Sequence, residues 1–81
     1  MNWYLYILRC KDGSLYTGIT VDVQARLEQH SSGKGAKYTR GRGPLELVYI
    51  EECGSHSDAL KREIAIKRLT RAEKEELIAK K

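Results

Sequence analysis

Two runs of aromatic and branched residues, Trp3–Cys10 (WYLYILRC) and Leu15–Val21 (LYTGITV), flank the stretch Lys11-Asp12-Gly13-Ser14. Such runs favour strands and such punctuation favours a turn, so the chain is expected to open with a β-hairpin. The alternation of side chains then restricts its register. A two-residue turn at Asp12-Gly13 would group Tyr4, Tyr6 and Leu8 with Leu15, Thr17 and Ile19, which mixes the two faces. A three-residue loop with Gly13 or a neighbour in a bulge instead groups Trp3, Leu5 and Ile7 with Leu15, Ile19 and Val21. That is a coherent core face, and the second register is the one expected. Tyr4, Tyr6, Tyr16, Gly18 and Thr20 then share the opposite face, where two phenols from neighbouring strands project together.

Downstream, Asp22 is a good N-cap for a helix over VQARLEQHSSG that ends near Ser31, with Gly33 as its stop. Gly33 to Gly43 (GKGAKYTRGRG) holds four glycines and four cations with no acid, which reads as an exposed loop closed by Pro44. Leu45 to Glu52 (LELVYIEE) makes a third strand. Ser55 with Asp58 and Thr70 with Glu73 have capping-box spacing, so one helix runs to about Leu69 and a last one carries Leu77 and Ile78. The predicted order is ββαβαα, an α+β fold with a three-stranded antiparallel sheet flanked by helices. At 81 residues, a single domain over 1–81 is expected.

Fifteen Lys and Arg against eleven Asp and Glu leave a net charge of +4, which favours an anionic partner. Nucleic acid leads that list, well ahead of an acidic membrane, and the preference for DNA over RNA comes only with the family likeness described below. No segment approaches the roughly 20 apolar residues that span a bilayer, and Met1-Asn2-Trp3-Tyr4 lacks the regions of a signal peptide, so no membrane partner and a cytoplasmic location are expected. Two cysteines, Cys10 and Cys53, are too few for a disulfide framework or a four-ligand zinc site and read as reduced thiols. Nothing in the pattern specifies an oligomer.

Tyr4-Leu5-Tyr6 and Tyr16-Thr17-Gly18 on adjacent strands, Arg26 and His30 in the first helix, Gly35-Ala36-Lys37-Tyr38-Thr39, and Glu63 in the helix after the third strand occur in an order and spacing that resemble the GIY-YIG nuclease domain. The likeness covers nearly the whole chain and is to the compact stand-alone bacterial members. Tyr4 stands where the first motif begins with Gly, and Thr17 where the second has Ile. The resemblance implies an endonuclease that hydrolyses phosphodiester bonds in DNA with one divalent metal, Mg²⁺ or Mn²⁺, with repair or recombination as the setting by analogy.

A phosphodiester is anionic and slow to hydrolyse, so its cleavage needs positive charge at the phosphate, an activated water and usually a metal at the leaving oxygen. The resemblance assigns these parts to Glu63 as metal ligand, Arg26 as phosphate clamp, Tyr6 as general base, Tyr16 as its companion on the water or phosphate, and His30 as a phosphate donor or proton-transfer aid. Spacing alone reads Glu63 as a solvated partner of Lys67, Arg26 as a surface charge and both tyrosines as packed strand residues. In the basic loop, Lys34, Lys37, Arg40 and Arg42 would meet phosphates and Tyr38 would stack on a base, while Gly18 would let a substrate backbone approach. The competing readings are a non-catalytic nucleic-acid-binding module of the same fold and an accessory domain of another protein.

Overall fold

The computed structural model describes residues 2–36 and 39–80; Lys37 and Tyr38, both placed above on nucleic acid, lie outside the described residues. The elements are β1 (Trp3–Arg9), β2 (Leu15–Thr20), α1 (Val23–Ser31), β3 (Glu46–Gly54), α2 (His56–Lys67) and α3 (Arg71–Ala79). They form a three-stranded antiparallel sheet in the order β2-β1-β3. The predicted α+β order is therefore the observed one. β3 runs two residues past the expected Glu52, because Gly54 still pairs with Trp3 beyond a register shift at Cys53.

The hairpin adopts the bulged register. Cys10 N–H donates to the Ser14 carbonyl at 2.8 Å and Gly13, at φ 85°, turns the chain. A positive φ is nearly free for glycine and strained for other residues, which is why the loop closes there. Leu5 then faces Ile19, and Tyr6 faces Gly18. Because β1 is the central strand, Leu5, Ile7 and Leu8 are completely buried. Val21 departs from expectation: beyond the last paired residue of β2 it is 39% exposed.

On the Leu5 and Ile7 face, Tyr49 of β3 and Ile66 of α2 complete the buried core, and Leu15, Ile19, Val48, Cys53, Leu77 and Ile78 pack around it. α2 starts at Ser55, whose side chain accepts from Asp58 N–H, and α3 starts with a full Thr70/Glu73 capping box. Arg62 of α2 grips Glu51 of β3 through two bonds of 2.7 and 3.1 Å, and Tyr49 donates to the same carboxylate at 2.6 Å. Burial opposes charge on Glu51, but the bonds from Arg62 and Tyr49 outweigh it and hold the carboxyl below its ordinary range. Cys10 and Cys53 are free thiols.

α3 buries no residue fully and is tied to β1 by the two-pronged Arg9–Glu75 pair at 2.8 Å for each bond. Arg9, with Arg71 in support, holds the Glu75 carboxyl at about 2. The depressed value means that this tie is complete above about pH 4.5 and lost as pH falls towards about 2. Amide exchange in α3 should accelerate over that window in the wild type and be fast throughout in Glu75→Gln; equal protection in both would refute the tie.

Thr17, which stands opposite Ile7, is 4% exposed, and its hydroxyl finds no partner. An unsatisfied buried hydroxyl costs free energy that an isosteric methyl does not. Thr17→Val is therefore expected to raise stability by about 1 kcal/mol, read from the denaturant midpoint. A midpoint that falls would show that the hydroxyl is satisfied in solution.

Candidate active site

The sheet face opposite the core is built around Tyr6. Alternation along β1 turns this phenol away from Leu5 and Ile7, and the register sets it across from Gly18. A Cβ added at Gly18 would lie 2.5 Å from the Tyr6 hydroxyl and 2.6 Å from its Cζ. Gly18 thus makes room for the Tyr6 ring, which corrects the expectation that it admits a substrate backbone. Tyr16, two residues earlier on β2, brings its ring centroid to 6.4 Å from that of Tyr6. The two phenols share a side, as the register requires, but not equally: Tyr6 is 2% exposed and Tyr16 is half-buried.

α1 closes the cluster from above. Asp22 caps it by accepting from Ala25 N–H, and His30 in its last turn is 2% exposed. The His30 ring stands edge-on to Tyr6 and Tyr16, with centroids 5.9 and 5.2 Å away. Its Nε2 lies 2.8 Å from the Tyr6 hydroxyl and its Nδ1 2.8 Å from the Thr39 hydroxyl. Thr39 has one proton, and its hydroxyl also lies 2.8 Å from the Ala36 carbonyl, an acceptor only. With that proton on the carbonyl, Nδ1 donates to Thr39 and Nε2 accepts from Tyr6; the Ala36 N–H, directed at Nδ1 from 3.4 Å, is satisfied instead by the opposite tautomer, so the contacts are compatible with both. Both ring nitrogens are engaged inside the protein, so the option of His30 as a phosphate donor is closed and its contact with Tyr6 remains.

Thr39 is the residue that sequence reasoning missed. It sits in a stretch whose glycines and cations read as solvated loop, yet it is 2% exposed. Gly35 belongs with it: a Cβ there would fall 2.4 Å from His30 Nδ1 and 2.8 Å from the His30 Cα. The only trace of either in the sequence is their place in the Gly35–Thr39 run that the family likeness includes. Lys34 and Arg40 are exposed on this loop, whereas Arg42 is tied to Asp12 at 2.5 Å.

Charge converges on the same cluster. Burial pushes the Tyr6 phenol up, a hydrogen bond from Arg26 pulls it down, and the fields of Tyr16, Arg26 and Glu63 act on it in turn. Arg26 also bonds Gln29 at 2.8 Å. Glu63, with 19% of its side chain exposed, pairs through Oε2 with Lys67 at 3.2 Å, the partner that spacing predicted. Tyr6, Tyr16, Arg26 and His30 are therefore joined by contact, and Glu63 acts on Tyr6 through its field. Among the described residues no group of three or more His, Cys, Asp or Glu could hold a metal ion.

Burial, followed by the charge of Arg26, holds the His30 imidazole below its ordinary pKa. The unfolded chain takes up a proton near pH 6.5 and the folded chain does not, so stability is full above about pH 6.5 and declines below it. In His30→Gln the decline between about pH 6.5 and 5 should flatten, as followed by denaturant midpoints across pH. An unchanged slope would place the acid sensitivity elsewhere.

This fold, with its paired phenols under a helix that supplies Arg and His, defines a class: the chain belongs to the GIY-YIG family, whose catalytic-domain model matches residues 2–76. Members of that superfamily are typically nucleases. Its relatives are small UPF0213 proteins. One from Halalkalibacterium halodurans is 54% identical over 81 residues, covering 100% of this chain and 86% of the relative. The UPF0213 protein YhbQ of Escherichia coli is 52% identical over 77 residues, 95% of this chain and 77% of the relative. Two solution NMR structures share the fold: that of a UPF0213 protein from Bacillus halodurans (TM-score 0.66, 54% identity, 100% and 86% coverage) and that of a protein from E. faecalis (TM-score 0.65, 40% identity, 95% and 83% coverage). No helix among the described residues is long and apolar enough to cross a membrane.

Proposed function

We propose that the protein is a metal-dependent endonuclease that hydrolyses phosphodiester bonds in DNA at the Tyr6–Tyr16–Arg26 face. The observation that carries this reading is the Tyr6–His30–Thr39 chain. A phenol is a poor base at neutral pH, but here its proton has an oriented imidazole acceptor 2.8 Å away. Tyr6 takes the proton of the attacking water as it gives its own to His30 Nε2, a step that uses the tautomer in which Nδ1 donates to Thr39 and Thr39 donates to the Ala36 carbonyl. Half-buried Tyr16 positions the water or phosphate at the mouth of the cluster. Arg26 supplies a planar, permanently charged fork for the oxygens that gain charge in the transition state.

A single carboxylate, that of Glu63, is what the chain offers a hard cation such as Mg²⁺ or Mn²⁺. Such ions commonly take one or two carboxylates and otherwise keep water and substrate oxygens, and Glu63 presents one half-buried carboxylate whose field already reaches Tyr6. Glu63 would hold the ion, and when bound the ion would supply charge neutralisation at the phosphate and leaving oxygen.

A second reading, a non-catalytic nucleic-acid-binding module, draws support from the 2% exposure of Tyr6 and the Glu63–Lys67 pair. Cleavage separates the two. With Mg²⁺ or Mn²⁺ the wild type is expected to nick plasmid or branched duplex, Glu63→Ala to abolish nicking while leaving DNA affinity near wild type, and Arg26→Lys to lower it about 100-fold. Equal trace nicking by wild type and Glu63→Ala would refute the nuclease and favour the binding module.

A further inference from the structure

Lys11 and Asp12 of the β1–β2 turn meet Arg40, Gly41 and Arg42 of the loop after α1, and together they line a concave surface of about 530 Å³. Two bonds hold the walls together: Lys11 N–H donates to the Arg42 carbonyl at 2.8 Å, and the Arg42 guanidinium donates to Asp12 at 2.5 Å. The single acid of the pocket is fully engaged, because Asp12 also accepts from the Ser14 N–H at 3.0 Å and the Ser14 hydroxyl at 2.6 Å. Ser14 and Arg42 hold its carboxyl below the ordinary range. Asp12 and Arg42 therefore cancel as a structural pair, and Arg42 is a brace. Lys11 and Arg40 remain, exposed and without a carboxylate partner among the described residues.

Two cations without a carboxylate partner on a concave wall make a surface whose charge suits an anion. Its place relative to the proposed active site follows from the chain. Lys11 is five residues beyond Tyr6, which bounds the separation of their Cα atoms at about 17 Å, or about five base-pair steps of duplex. Arg40 directly follows Thr39, which is bonded to His30 and through it to Tyr6. The pocket is thus joined to the phenol cluster twice, along β1 from Tyr6 to Lys11 and through Arg40, Thr39 and His30.

We propose that this pocket is a second phosphate subsite, in which Lys11 and Arg40 hold a backbone phosphate of the nucleic acid within half a helical turn of the one bound at Tyr6, while Arg42 and Asp12 keep the walls in place. The ligand class rests on the reading of the protein as a nuclease, but the site is separate from the residues of that reaction. It predicts affinity that is independent of base sequence and steep in salt, since each phosphate neutralised contributes about 0.9 to the slope of log affinity against log salt.

The test is metal-free fluorescence anisotropy of the full chain with a labelled DNA duplex across a salt series, for wild type, Lys11→Ala/Arg40→Ala, and the charge-matched control Lys61→Ala/Lys80→Ala. Neither pocket cation uses its side chain in a bond among the described residues, and alanine keeps the Lys11 backbone N–H, so the melting temperature of the pocket variant should match wild type. Its affinity should fall about tenfold at low salt and its salt slope by about 0.9, the share of one phosphate, while the affinity of the control changes less than about twofold. If the pocket variant and the control lose affinity equally, the subsite is refuted, and nicking by the wild type still decides the nuclease reading. A wild-type protein with no salt-sensitive affinity for duplex would sink both.

Discussion

Gly18→Ala is expected to destabilise the protein by about 3 kcal/mol and to cut nicking about 100-fold. The new methyl would lie 2.5–2.6 Å from the hydroxyl and Cζ of Tyr6, well inside contact distance. Tyr6 cannot swing away cheaply, since it is 2% exposed and bonded to His30. The clash must push the phenol out of its bond to Nε2, so one methyl disturbs the core and the proposed proton path at once. For a domain of this size the stability loss corresponds to a melting temperature lower by about 12–24 °C. A double-mutant cycle makes the mechanism specific. In a Tyr6→Ala background the ring is gone, and Gly18→Ala should cost under about 1 kcal/mol. The same cost in both backgrounds would show that Gly18 is required for its backbone and not for the space it leaves.

The second large effect is expected at His30. His30→Ala removes a buried ring, leaves a cavity between α1 and the sheet, and strands the Tyr6 hydroxyl without its acceptor. The cavity and the orphaned hydroxyl together should cost about 4 kcal/mol, or about 20 °C in melting temperature. Much of the activity loss in that variant would be structural. His30→Gln separates the roles, because an amide can still accept from Tyr6 and donate to Thr39 but cannot take up a proton. It should melt within about 10 °C of wild type and yet lose at least about tenfold in nicking. Full activity in a stable His30→Gln protein would refute proton acceptance by His30 and leave it as a packing residue.

These expectations also show how unevenly the site could be read. The hairpin register was legible because only one arrangement of Trp3–Cys10 against Leu15–Val21 makes a coherent core face. That register alone put Tyr6 and Tyr16 on one side, where their centroids lie 6.4 Å apart. The caps at Asp22, Ser55 and Thr70 were equally local signals, because a cap is a bond between residues two or three apart. Thr39 was not legible. Its neighbours are glycines and cations, its burial comes from a ring nine positions earlier, and no local pattern encodes a contact of that kind. Gly18 was singled out for a wrong reason, since strand pairing shows which residue lies opposite but not which side chain fills the space between.

The amino-acid sequence by itself determined the α+β element order, the faces of the hairpin, the helix starts and the excess of positive charge, because each depends on periodicity, capping or composition over a few neighbouring residues. Only the tertiary structure decided that Tyr6 is sealed beneath α1, that both nitrogens of His30 are spent on Tyr6 and Thr39, that Gly18 and Gly35 make room for rings, and that Arg42 is a brace while Lys11 and Arg40 are left open. Those outcomes turn on side chains from distant elements competing for the same few ångströms, and that competition is settled only when the sheet, the helix and the loop have packed.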